Sequence, residues 1–128
     1  MSNINDISFK DFQKLDIRIG TVVEAEVPEW SHWVIKLTVE FGKEIGERIV
    51  FAGMLGFYKP EDFLNKQFPF IINIESKKIG PKGDVSEGMM LVASLKLEEP
   101  IIIDDEETFE KPVFLIPSEK VLPGTKVR

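Results

Sequence analysis

From residue 33 the chain alternates strictly. Trp33, Ile35, Leu37, Val39 and Phe41 lie on one side of an extended segment, and Val34, Lys36, Thr38 and Glu40 on the other. A period of two over nine residues predicts a strand with one buried face. Residues 16–27 alternate less cleanly, with Ile17, Ile19 and Thr21 opposite Arg18, Gly20 and Val22. The phase slips after Val22, which predicts a β-bulge there, and Gly20 in mid-strand predicts a sharp bend of the sort a small barrel needs. Residues 42–47 (GKEIGE) form a hairpin turn into a third strand at 48–52. A fourth strand is expected at 67–75, where Pro69 implies an edge or a bulge, and a fifth at 88–97. Ser8 three residues before Asp11 is an N-cap pattern for a short helix at 9–14, which would turn Phe9 and Phe12 to one side. Pro60 with Glu61 and Asp62 opens a second short helix between strands three and four. Five strands in that order suit an all-β, five-stranded Greek-key barrel of the OB type. Residues 98–128 then supply further strands and turns as a C-terminal extension.

With 128 residues, 43% of them hydrophobic, the chain suits one domain with one core. It contains no cysteine, which excludes disulfides, thiolate metal sites and cysteine nucleophiles. His32 is the sole histidine and sits in a polar loop between Trp30 and Trp33, a poor setting for a catalytic imidazole. The run Asp104-Asp105-Glu106-Glu107 lacks calcium-loop spacing, and Gly80-Pro81-Lys82-Gly83 is not followed by the Lys-Ser/Thr pair of a phosphate loop. No enzyme activity, metal or cofactor is expected. The N-terminal stretch is polar and no apolar run approaches a membrane span, so a soluble cytoplasmic protein without membrane association is expected.

The net charge of −6 is unevenly spread. Residues 1–97 carry 12 basic and 14 acidic side chains; residues 98–128 carry 4 and 8. A polyanion could therefore meet a local basic face on the first three quarters. Lys77, Lys78 and Lys82 stand together without an acid between them, and Lys36 and Arg48 lie on neighbouring strands. OB barrels bind single strands and RNA with such charges and with loop aromatics. Trp30, His32 and Trp33 in the first loop are candidate contacts for RNA or protein. Trp33 also reads as the first core residue of the alternating strand.

Four blocks bear a wider likeness: FQKLDIRIGTV at 12–22, KLTVEFG at 36–42, FYKPED at 57–62 and SEGMMLVAS at 86–94. In order and spacing they resemble the tRNA-binding domain family. Its members are free-standing tRNA-binding proteins, C-terminal domains of methionyl-tRNA synthetases, the endothelial monocyte-activating polypeptide and CsaA-type export chaperones. The resemblance covers roughly residues 9–97. It implies a non-catalytic barrel that recognises folded tRNA by shape and backbone, and a homodimer for stand-alone members; in the extension at 98–128 the apolar segments Ile101-Ile102-Ile103 and Val113-Phe114-Leu115-Ile116 offer a means of forming that dimer. It also places Asn73, Lys77, Lys78, Ser86, Glu87, Gly88 and Met89 on or beside the binding face. Two alternatives accompany it: a CsaA-type chaperone that binds unfolded preproteins, and a subunit that delivers tRNA to an aminoacyl-tRNA synthetase in trans. The chain departs from the family pattern in its aromatic first loop, in Glu75 where a cation is usual, in the extra residues 81–85, and in its acidic segment 98–110.

Overall fold

The structure, a computed structural model, describes residues 5–128; the first four positions of the polar N-terminal stretch lie outside the described residues. The Ser8 hydroxyl accepts a hydrogen bond from the Asp11 N–H at 3.0 Å and caps one helical turn, α1 (Phe9–Phe12). Ten strands follow: β1 (Ile17–Glu26), β2 (Ile35–Glu40), β3 (Glu47–Ala52), β4 (Gln67–Ile71), β5 (Lys77–Ile79), β6 (Asp84–Ser86), β7 (Met89–Met90), β8 (Val92–Ile103), β9 (Glu106–Phe114) and β10 (Lys126–Val127). A 3-10 turn, Pro60–Asp62, separates β3 from β4. The main sheet runs β3-β2-β1-β4-β7, with β10 added against β1. Its two ends meet. Glu87 N–H donates to Ile49 O at 2.8 Å, Ile49 N–H to Glu87 Oε1 at 3.1 Å, and Phe51 N–H to Ser86 Oγ at 3.1 Å. The result is an all-β, nearly closed barrel of the OB type.

Ile35, Leu37, Val39 and Phe41 fill the barrel together with Val22, Val50, Phe63, Phe68 and Phe70. Trp33 does not join them. Ser31 Oγ accepts from the N–H groups of both Trp33 and Val34, and this local turn breaks the strand's phase. Val34 is buried and Trp33 is 51% exposed, the reverse of the alternation. The register slip falls between Val22 and Glu24, where the sequence places a bulge. Gly20 serves a different purpose. Val39 and Phe41 cross directly over it, and a Cβ there would come within 2.6 Å of the Phe41 ring.

The last two barrel strands are shorter than the sequence suggests. β4 ends at Ile71, and only Met89–Met90 of the expected fifth strand pair with it. Pro69 accounts for the stop. It lies opposite Ile19 of β1 and, one step along from the Phe70–Met90 pair, opposite Leu91. Its carbonyl accepts from Leu91 N–H at 3.0 Å, but it has no N–H to return, and the ladder ends. The chain then leaves the barrel as a β8–β9 ribbon that pairs only with itself. Phe114 anchors the ribbon: its ring stacks on Tyr58 at 4.2 Å and packs against Phe63 and Phe68. The Tyr58 hydroxyl donates to Pro112 O at 2.7 Å. The final segment returns to the barrel. Buried Gln67 holds it through Val121 N–H and C=O, and Gly124 N–H donates to Ile19 O at 2.7 Å.

Candidate nucleic-acid interface

β5 and β6 form a hairpin whose second strand lies against β3, pairing Lys77 with Ser86, Lys78 with Val85 and Ile79 with Asp84. Gly80 and Gly83 bound its turn at φ of 79° and 73°. These are left-handed conformations that glycine adopts without steric cost. Lys77, Lys78 and Lys82 are exposed. Among the described residues, the ion pairs within 4 Å are Lys14–Asp11, Arg18–Asp16, His32–Asp104 and Lys36–Glu26. The hairpin lysines thus have no carboxylate partner, and the acidic C-terminal ribbon does not mask them. Adjacent strand residues point to opposite faces, so Lys77 and Lys78 charge both sides of the hairpin.

The first loop meets this hairpin through Trp30. Its Nε1–H donates to Asp84 Oδ2 at 3.2 Å, its ring lies 6.0 Å from that of Phe51, and it rests on the backbone of Gly80. A cleft of about 230 Å³ opens beside it, lined by Trp30, by Lys36 and Lys82, and by the acids Glu26, Glu29 and Asp84. Tertiary folding thus brings Lys36 of the barrel and Lys82 of the hairpin to one cleft. Lys36 Nζ is also 3.7 Å from Glu26 Oε1. Trp33 flanks Gly53 instead, and exposed His32 faces Asp104 at the ribbon tip, 3.6 Å away.

The other candidates are engaged in hydrogen bonds to the backbone. Arg48 Nη1 donates to the carbonyls of Ile72 at 2.6 Å and Glu87 at 3.4 Å. Asn73 Oδ1 accepts from Asp16 N–H at 2.8 Å and its Nδ2 donates to Lys14 O at 2.6 Å, tying the segment after α1 to the end of β4. Ser86 is buried and Glu87 holds Ile49. Arg48, Ser86 and Glu87 bridge the seam that closes the barrel, and exposed Asn73 fixes the end of β4, whereas Met89 is 43% exposed on the rim. Sequence reasoning missed Gly80 and Asp84 as partners of Trp30. The extra residues 81–85 were the available signal.

Residues 17–113 match the family described as a putative tRNA binding domain. The chain belongs to that family. This tRNA-binding domain is 35% identical over 122 residues to a methionine–tRNA ligase of Pyrococcus horikoshii, a match that covers 95% of this chain but 14% of the ligase. Among solved structures it is similar to a MetRS-related protein from Pyrococcus horikoshii, with a TM-score of 0.78 and 27% identity over 98% of this chain and 100% of that one. It is also similar to the chaperone CsaA from Bacillus anthracis, with a TM-score of 0.73 and 29% identity over 96% and 99% of the two chains. Among the described residues, the domain has no His, Asp or Glu cluster fit for a metal, and no helix long and apolar enough to cross a membrane.

Proposed function

We propose that this chain is one non-catalytic, cytoplasmic domain that binds folded tRNA by its phosphate backbone and shape. Lys77, Lys78 and Lys82 are the principal phosphate contacts, with Lys36 at the neighbouring cleft and Met89 at the rim. Arg48, Asn73, Ser86 and Glu87 shape this face from behind. One observation carries the reading: in a chain of net charge −6, three exposed lysines share one hairpin with no carboxylate within 4 Å among the described residues. Each phosphate neutralised releases counterions, so binding weakens steeply with salt. Lys77→Glu combined with Lys78→Glu should abolish tRNA retention in filter binding and leave the thermal melt unchanged. Wild-type affinity in the double variant would remove the hairpin from the interface.

The exposed apolar side chains of the ribbon, among them Ile102 at 61% and Phe109 at 49%, support a homodimer formed through β8–β9. The likeness to part of a methionine–tRNA ligase supports association with a synthetase in trans. A second reading rests on Trp33. Its exposed indole lies beside Gly53, which with Met54, Phe57, Val92 and Pro112 lines the apolar part of a cleft of about 300 Å³ between barrel and ribbon, bordered by Ser94 and Glu110. Together with the likeness to CsaA, that cleft supports binding of unfolded polypeptide segments, preproteins included.

A further inference from the structure

Two departures from the family pattern, the aromatic loop at 28–33 and the extra residues 81–85, meet in the structure at one place. Trp30 lies against the hairpin that the extra residues lengthen. Its indole N–H is engaged by Asp84, and one ring face rests on Gly80. A Cβ at Gly80 would stand 2.6 to 2.7 Å from three ring atoms, so only glycine admits the indole there. Asp84, the acid on the hairpin itself, is directed to the indole, and among the described residues no carboxylate lies within 4 Å of the hairpin lysines.

We infer that Trp30 is a positioning residue for RNA binding: a strut that holds the β5–β6 hairpin so that Lys77, Lys78 and Lys82 stand in fixed relation to Lys36. The inference rests on the proposed RNA-binding role of the hairpin. A two-stranded hairpin with three residue pairs is marginal on its own in water. Cations carried on a mobile hairpin lose phosphate contacts, because on RNA binding each must first be ordered at a cost. The indole removes much of it in advance by joining Gly80 and Asp84 to the barrel through Phe51. With its N–H engaged and a face closed by Gly80, Trp30 acts through the hairpin rather than as a platform for a base.

Trp30→Ala removes no charge, which makes salt dependence the decisive readout. The variant should bind total tRNA about tenfold more weakly at low salt. The slope of log K against log salt should become shallower by about 1 to 2, the equivalent of one or two lost phosphate contacts. Amide hydrogen exchange should accelerate across residues 77–86 and stay unchanged in β1, β2 and β4. Trp30→Phe, which keeps a ring on Gly80 but loses the N–H, should fall between the two and carries the test should Trp30→Ala unfold. Weaker binding with an unchanged slope would make Trp30 a direct stacking contact and overturn the strut, as would unchanged exchange at 77–86. Wild-type protein that fails to bind tRNA would instead refute the proposed function, and the exchange measurement would still decide whether Trp30 holds the hairpin.

Discussion

Arg48 separates two roles that one cation on an OB barrel can play. On sequence grounds it stands beside Lys36 as a phosphate contact. In the structure its Nη1 donates to Ile72 O at 2.6 Å and Glu87 O at 3.4 Å, across the seam where β3 meets the segment before β7. Arg48→Met keeps the aliphatic stem and removes both bonds. A hydrogen bond from a charged donor contributes about 1.5 to 3 kcal/mol, and the long second bond adds a fraction of that. Arg48 is partly exposed, so water recovers some of the loss. A destabilisation of about 2 to 3 kcal/mol is expected. For a chain of 128 residues that lowers the melting temperature by roughly 10 °C. Urea denaturation at 25 °C measures the free energy, and filter binding in parallel, well below the transition, measures tRNA affinity over a salt series. The expected result is lower stability with an unchanged salt slope. Stability within about 0.5 kcal/mol of wild type, together with a slope shallower by about one, would make Arg48 a phosphate contact and refute the seam argument.

Sedimentation velocity at micromolar concentration should show a dimer that Ile102→Glu with Phe109→Glu converts to a monomer; a wild-type monomer would count against the ribbon as an interface. Should the domain hold unfolded polypeptide, Trp33→Ala should lose suppression of client aggregation at any salt concentration, while Lys77→Glu with Lys78→Glu should keep it. Equal protection by Trp33→Ala and wild type would remove the Trp33 cleft from that role.

What the sequence by itself determined was whatever depends on local periodicity and on charges close together in the chain. The strand Ile35–Glu40, the slip after Val22, the Ser8 cap, the turn at Gly42 to Gly46 and the lysine cluster at 77–82 all belong to that class. Each is set by contacts or torsions within a few residues, so the pattern carries the information. Tertiary structure alone decided the rest. Trp30 and Trp33 are three residues apart and equally aromatic, yet one is fastened to Asp84, 54 residues away, and the other is half exposed. Arg48 and Asn73 look like free polar side chains until Ile72, Glu87, Asp16 and Lys14 come within hydrogen-bonding distance of them. The fifth strand stops because Pro69, far back in the chain, cannot donate to Leu91. The physical reason is common to these cases. A side chain's role follows from which donors and acceptors reach it, and when those partners lie in remote segments, only barrel closure determines them.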